Sequence, residues 1–179
     1  MKSRSILLLG MLLIILTGCT PWVQAVQTSQ TDLVALDQNQ TVGQSFVARY
    51  DGLHAVQIYL SPMQSGEGEI TLRLQTELGA AQDVGKAVLP LDQVTEAKTY
   101  RFDFPVLDNS NDQYYYALLE IDGAGSLSVG ASGGSTYQDG ALYQQGLPRD
   151  GQLNFSLVYD PLDLAIGLAE ELIKWTGML

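Results

Sequence analysis

In the stretch TYRFDFP, apolar and polar side chains trade places at every step. Tyr100, Phe102 and Phe104 fall on one side of an extended chain, Arg101 and Asp103 on the other. Successive strand residues point to opposite faces, so this alternation is what a half-buried strand needs, whereas a helix would scatter the same rings around its circumference. The pattern recurs. In HAVQIYLS, Val56, Ile58 and Leu60 share a side; in EITLRLQT, Ile70, Leu72 and Leu74 do; in QLNFSLVYD, Leu153, Phe155, Leu157 and Tyr159 do. QSFVARY is a further short strand of this kind. SGEGE, DNSND, DGAG, SGGS and PRDGQ separate these runs and carry the Gly, Asn, Asp and Ser chemistry of turns. Eight or nine strands at such spacing, with no helical pattern between them, predict an all-β domain over residues 33–159. The expected architecture is an antiparallel two-sheet β-sandwich of jelly-roll type.

Before that domain the pattern is different. Lys2 and Arg4 precede an apolar run, Ile6 to Leu16, that is too short to span a bilayer comfortably, and Leu16, Thr17 and Gly18 lead to Cys19, the one cysteine of the chain. A basic start, a short apolar core and small residues before a break make a signal peptide over residues 1–18. One thiol cannot close a disulfide within the chain, nor make a zinc site without partners. The tetrapeptide Leu16-Thr17-Gly18-Cys19 resembles the bacterial lipobox, which implies that Cys19 becomes a diacylglycerol-modified N-terminus, usually with an added N-acyl chain. An uncleaved membrane anchor is the alternative; either puts the remainder outside the cytoplasm, held to a cell membrane or an outer membrane. Residues 19–32, rich in Gln, Thr and Ser, read as a flexible tether, with Trp22 as an interfacial anchor.

The formal net charge is −11, and removal of Lys2 and Arg4 with the leader makes the rest more acidic still. Such a surface repels phosphate backbones, which excludes nucleic acid as a partner.

The succession VGQSFVARYDGLHAVQIYL, YRFDFPVLDNSNDQYYYALLE and YQDGALYQQGLPRDGQLNFSLVY resembles β-sandwich modules in the extracytoplasmic parts of bacterial polytopic membrane proteins, glycosyltransferase-like ones among them. The signatures are Gly43-Gln44-Ser45-Phe46, the aspartate-rich loop before the tyrosines, and Gly140 with Tyr143 and Gly146. Covering Val42 to Tyr159, the resemblance implies a carbohydrate-binding-like jelly roll and supplies no catalytic residue.

Four sets of residues are candidates for chemistry. Tyr115, Tyr137, Asp139, Tyr143 and Gln145 combine aromatic faces with polar neighbours, as a sugar's C–H faces and hydroxyls require; tyrosine is also an ordinary strand residue. Asp108, Asn109, Asn111 and Asp112 offer oxygen ligands that a structural calcium could use, but without an EF-hand's glycine and closing glutamate, and an Asx-rich turn is the simpler reading. No other cofactor is expected. GASGG, Gly130 to Gly134, satisfies G-x-S-x-G, yet no helical pattern follows it and the one imidazole, His54, lies upstream; a flexible loop is expected there, and no catalysis. His54 shares parity with Val56 and caps the edge of the core.

Residues 160–179 form the fourth set. Asp160 is an N-cap, Pro161 a first helical residue and Gly177 a C-cap. Leu162, Ile166, Leu172, Ile173 and Trp175 belong to a wide apolar surface on this amphipathic helix, which either packs on its own domain or receives a protein partner. The sequence thus predicts a membrane-anchored, non-catalytic lipoprotein module that binds glycan or another envelope component. The alternative is an accessory subunit that docks to an envelope protein complex through its C-terminal helix; a third and less favoured reading, a hydrolase, would require Ser132 and His54 to converge in space.

Overall fold

A computed structural model describes residues 22–134, 137–163 and 165–167. Cys19 and its leader, and Leu172, Ile173 and Trp175 of the C-terminal segment, lie outside the described residues. Among the described residues eleven strands run in chain order: β1 (Trp22–Gln27), β2 (Asp32–Asp37), β3 (Thr41–Val47), β4 (Leu53–Gln75), β5 (Gly85–Pro90), β6 (Lys98–Leu107), β7 (Tyr114–Ser132), β8 (Leu142–Gln144), β9 (Leu147–Arg149), β10 (Gln152–Leu153) and β11 (Phe155–Tyr159). All pairings are antiparallel, and the strands join in one sheet of order β1-β11-β4-β7-β3-β8-β9, with β5 and β6 on β4 and β2 and β10 on β7.

Two long strands set the shape. β4 pairs with β11 and β6 through its first third and with β7 and β5 further on. β7 takes β3 along its first half and β2 along its second. Both bend, and the sheet curls until Phe46 of β3 meets Phe155 of β11, centroids 5.8 Å apart. The alternating apolar sets line the inside of this curl: Val56, Ile58, Leu60, Leu72, Leu74, Phe102, Leu119 and Leu157 are all buried. Fully burying each such side chain is worth about 1.5–3 kcal/mol, so the alternation read from the sequence is also the main source of stability.

Two sequence expectations fail, the first at the bends. SGEGE and DGAG are not turns between strands; they lie inside β4 and β7 and pair with each other, Gly68 opposite Gly123. A Cβ on Gly68 (φ +137°) would stand 2.2 Å from the Asp122 carbonyl oxygen, and one on Gly123 (φ +130°) 2.3 Å from that of Glu67. The glycines let two backbones cross where no side chain fits, which bends both strands together. The second failure is the tether. From Trp22 the chain is already strand β1, paired to β11 with Trp22 opposite Tyr159, so residues 22–32 hold a sheet edge and the start of β2. Those additions also raise the strand number above the eight or nine expected.

The signature Gly43-Gln44-Ser45-Phe46 proves to be framework. A Cβ on Gly43 would lie 2.5 Å from Leu118 Cδ2. Gln44 is buried and wholly engaged: its Nε2 donates to the Ser45 carbonyl (2.9 Å) and to Gln152 Oε1, and its Oε1 accepts from the Leu153 amide (2.9 Å). Gln152 Nε2 in turn donates to the Gly140 carbonyl at 3.0 Å. Ser45 Oγ receives the Ala141 amide (2.9 Å) and the Tyr114 hydroxyl (2.7 Å), and Phe46 is core. Each of these buried polar groups is paired, as burial demands.

Candidate functional site: a tyrosine face on the outer side of the sheet

The strand YYYALLEI settles which tyrosines meet solvent. Tyr115 is inside, 5 % exposed and tilted against Phe46 at 5.8 Å, together with Ala117, Leu119 and Ile121. As a ligand contact it is therefore corrected to a core residue. Tyr114 and Tyr116 point outward on the parity of Glu120, and that glutamate was the available signal, since a charge marks the wet face of a strand. Pairing β3 between β7 and β8 brings Tyr143 into the same group, because Gly43 is opposite both Leu118 and Tyr143. Tyr114 and Tyr116 stand edge to face at 5.3 Å, Tyr116 and Tyr143 at 5.6 Å. Such T-shaped contacts hold rings upright without covering them. Burial, then the adjoining phenols of Tyr114 and Tyr143, push the Tyr116 hydroxyl above its ordinary pKa, so it stays a neutral donor.

Arg49 borders this face, and no pattern along the chain singles it out. Its guanidinium bonds to Asp139 and lies 3.5 Å from Asp112. The hydrogen bond and charge of Asp139 raise the Arg49 pKa further. Asp139 and Gln145 are exposed, and Gln145 (φ +50°) is fixed by its amide to the Thr41 carbonyl at 2.9 Å. Tyr137 works as a strut instead. Its hydroxyl accepts the Val47 amide (3.0 Å) and its ring meets Phe155 at 5.8 Å, so it pins a loop to the core. Of the five expected ligand contacts, then, Asp139 and Gln145 are exposed, Tyr143 and Tyr137 are half-buried and Tyr115 is core.

The Asp108–Asp112 loop is a turn bonded to the neighbouring 48–53 segment. Buried Ser110 accepts the Leu53 amide (3.0 Å) and donates to the Tyr50 carbonyl (2.9 Å), while Asn111 N–H reaches Asp51 Oδ1 at 2.9 Å. Asp112 (φ +55°) donates its amide to the Ala48 carbonyl at 2.7 Å. Among the described residues, no group of three or more His, Cys, Asp or Glu is arranged to hold a metal ion.

Elsewhere, Ser132 of GASGG is a buried residue of β7 that accepts from Gln27 Nε2 at 2.8 Å, which corrects the expected flexible loop for that serine. His54 engages the Gly52 carbonyl (3.3 Å) and Arg101 (2.9 Å). A polar cleft of about 640 Å³ opens over β4, β5 and β7, lined in part by Thr41, Thr71, Arg73, Asp83, Glu120 and Asp122. In it Arg73 Nε contacts both oxygens of Asp83, at 3.1 and 3.0 Å, and Gln75 adds a third bond at 2.9 Å. Asp160 Oδ1 accepts the Leu162 amide at 2.8 Å; Leu162 and Ile166 are exposed.

No protein-family profile matches this sequence, and no curated protein matches it. Among the described residues no helix is long and apolar enough to cross a membrane.

Proposed function

We propose that this chain is an extracytoplasmic lipoprotein, lipidated at Cys19, whose β-domain is a non-catalytic binding module for glycan or another envelope component. The curl that opposes Phe46 and Phe155 supports treating the two halves of the sheet as the layers of a jelly-roll sandwich. The observation that carries the binding role is the upright, partly exposed row of Tyr114, Tyr116 and Tyr143 beside the Arg49–Asp139 pair. Ring faces take the C–H surfaces of a sugar, while Asp139, Arg49 and Gln145 supply acceptors and donors for its hydroxyls. The face is shallow, so the expected affinity is modest and avidity on a crowded surface matters.

The test is a glycan array with the chain from Cys19 onward. Binding that drops about tenfold or more in Tyr116→Ala and Tyr143→Ala, with unchanged urea unfolding, supports the assignment. Binding that survives both but is lost in Arg73→Ala moves the site to the polar cleft. A folded protein that retains no glycan refutes the carbohydrate reading.

A further inference from the structure

Lipidation at Cys19, on which this inference rests, has a geometric consequence once β1 is a strand. Trp22 is three residues from Cys19, and three residues reach at most about 11 Å. The acyl chains therefore hold the start of β1 close to the headgroups, with no long spacer between. Trp22 is opposite Tyr159, the last residue of β11. The Asp160 amide then bonds to the Gly52 carbonyl at 2.8 Å, so the lipid-proximal start, the 50–52 turn and the first helical residues share one end of the sheet.

That end carries exposed apolar groups. Trp22 is 41 % exposed, Leu162 68 % and Ile166 51 %. Trp22 meets Tyr50 edge to face at 5.0 Å, and Tyr50 meets fully buried Tyr159 at 5.4 Å, so the indole is braced by rings rooted in the core. Leu162 and Ile166 are four residues apart, the spacing that places two side chains on one side of a helix. Carboxylates gather at the same end: burial, then the charges of Asp160, Asp108 and Asp51, raise the Asp163 pKa. An acidic end of this kind does not adhere to anionic lipid by charge; apolar insertion is the attraction left.

We propose that this end is a seat on the bilayer that holds the Cys19 acyl chains, with the Trp22 indole at headgroup depth and Leu162 and Ile166 dipping beside it. Indole rings favour that depth, and a second contact is what turns acyl attachment into a fixed orientation. The domain thus lies against the membrane instead of swinging above it.

The experiment uses the full lipidated chain carrying Trp175→Phe, so that Trp22 is the only indole, in zwitterionic vesicles with lipids brominated at a known depth. The expected result is strong quenching of Trp22 by the brominated lipids, reduced several-fold by Leu162→Asp with Ile166→Asp at an unchanged unfolding midpoint, and weaker in vesicles rich in anionic lipid. Trp22 equally open to aqueous iodide in free and vesicle-bound protein overturns the seat. So does protection of Leu162 and Ile166 in whole envelopes but not in protein-free vesicles, which points to a protein partner. Mass spectrometry of the Cys19 peptide separates the two levels: absence of acyl mass overturns the lipoprotein reading and the seat with it, whereas an acylated chain with an iodide-accessible Trp22 overturns the seat alone.

Discussion

Replacing Gln44 by leucine probes the buried polar bridge between β3 and β10. The substitution keeps a similar volume and deletes the three bonds made by the amide. It leaves the Leu153 N–H, the Ser45 carbonyl and Gln152 Oε1 without that partner in a site where Gln44 is 1 % exposed and Gln152 3 %. A buried group left unsatisfied costs about 1–3 kcal/mol. The Leu153 amide alone sets the floor, and all three groups set a ceiling near about 9 kcal/mol. Greater apolar burial by leucine returns about 1–2 kcal/mol, and rotation of Gln152 relieves one orphan. The expected loss is about 3 kcal/mol, a large share of a stability of about 5–15 kcal/mol. Urea unfolding of the chain from Cys19 measures it as a shift in midpoint at constant slope. Gln152→Leu in the same background should be non-additive by about 0.5–3 kcal/mol, because the two amides touch. A loss below about 1 kcal/mol, or strict additivity, refutes the claim that the bridge is a single satisfied unit. The bridge also bears on recognition: Gln152 holds the Gly140 carbonyl, and Gly140 lies between Asp139 and Tyr143 in the chain.

The remaining predictions concern the crossing and the cleft. Gly68→Ala should cost at least about 2 kcal/mol, from positive φ plus a Cβ driven toward the Asp122 carbonyl, whereas Gly133→Ala, with nothing within 4 Å of its Cβ, should stay within about 0.5 kcal/mol; equal thermal midpoints for the two variants would sink the account of the bend. At Asp83, burial pushes the carboxyl pKa up, but the bonds from Gln75 and Arg73 and the charges of Arg73 and Lys86 outweigh it and leave the pKa below its ordinary 3.8. A depressed carboxylate stabilises the fold fully above the unfolded value and ceases to do so as pH falls through the folded one. Urea midpoints should therefore drop on acidification from about pH 5 to below about pH 3 more steeply in the natural chain than in Asp83→Asn; parallel curves refute the role.

The core is readable because alternation is local: Tyr100, Phe102 and Phe104 each face inward as their spacing requires. The bends are not, because SGEGE has the same composition whether it turns a chain or lets another chain cross it. The deciding contact, Gly68 with Gly123, joins residues far apart in sequence. β1 is not legible along the chain for a related reason. It is an edge strand with Trp22, Val23 and Ala25 exposed, so its pairing to β11 left no strong apolar face to read. The tyrosine face was legible only in part. Parity with Glu120 separates Tyr116 from Tyr115, but nothing along the chain indicates that β3 carries β8, and with it Tyr143, to the side of Tyr116.

The placement of that face constrains what could reach it. Tyr114 is opposite Val47, and the next contacts along the same edge, Gln113 to Ala48 and Asp112 to Arg49, lead to the turn of Gly52 and so to the end that carries Trp22. A domain seated by that end holds its tyrosines beside the bilayer. A domain swinging on a long spacer would present them at any height. The two arrangements differ in a measurable way: with the seat intact, glycan displayed on a short lipid stem should be retained better than the same glycan free in solution by the lipidated protein in vesicles. That preference should vanish in Leu162→Asp with Ile166→Asp while binding of the free glycan stays constant. Loss of both kinds of binding together would mean that the 160–167 segment supports the tyrosine face itself, and the seat and the binding face would not be independent sites.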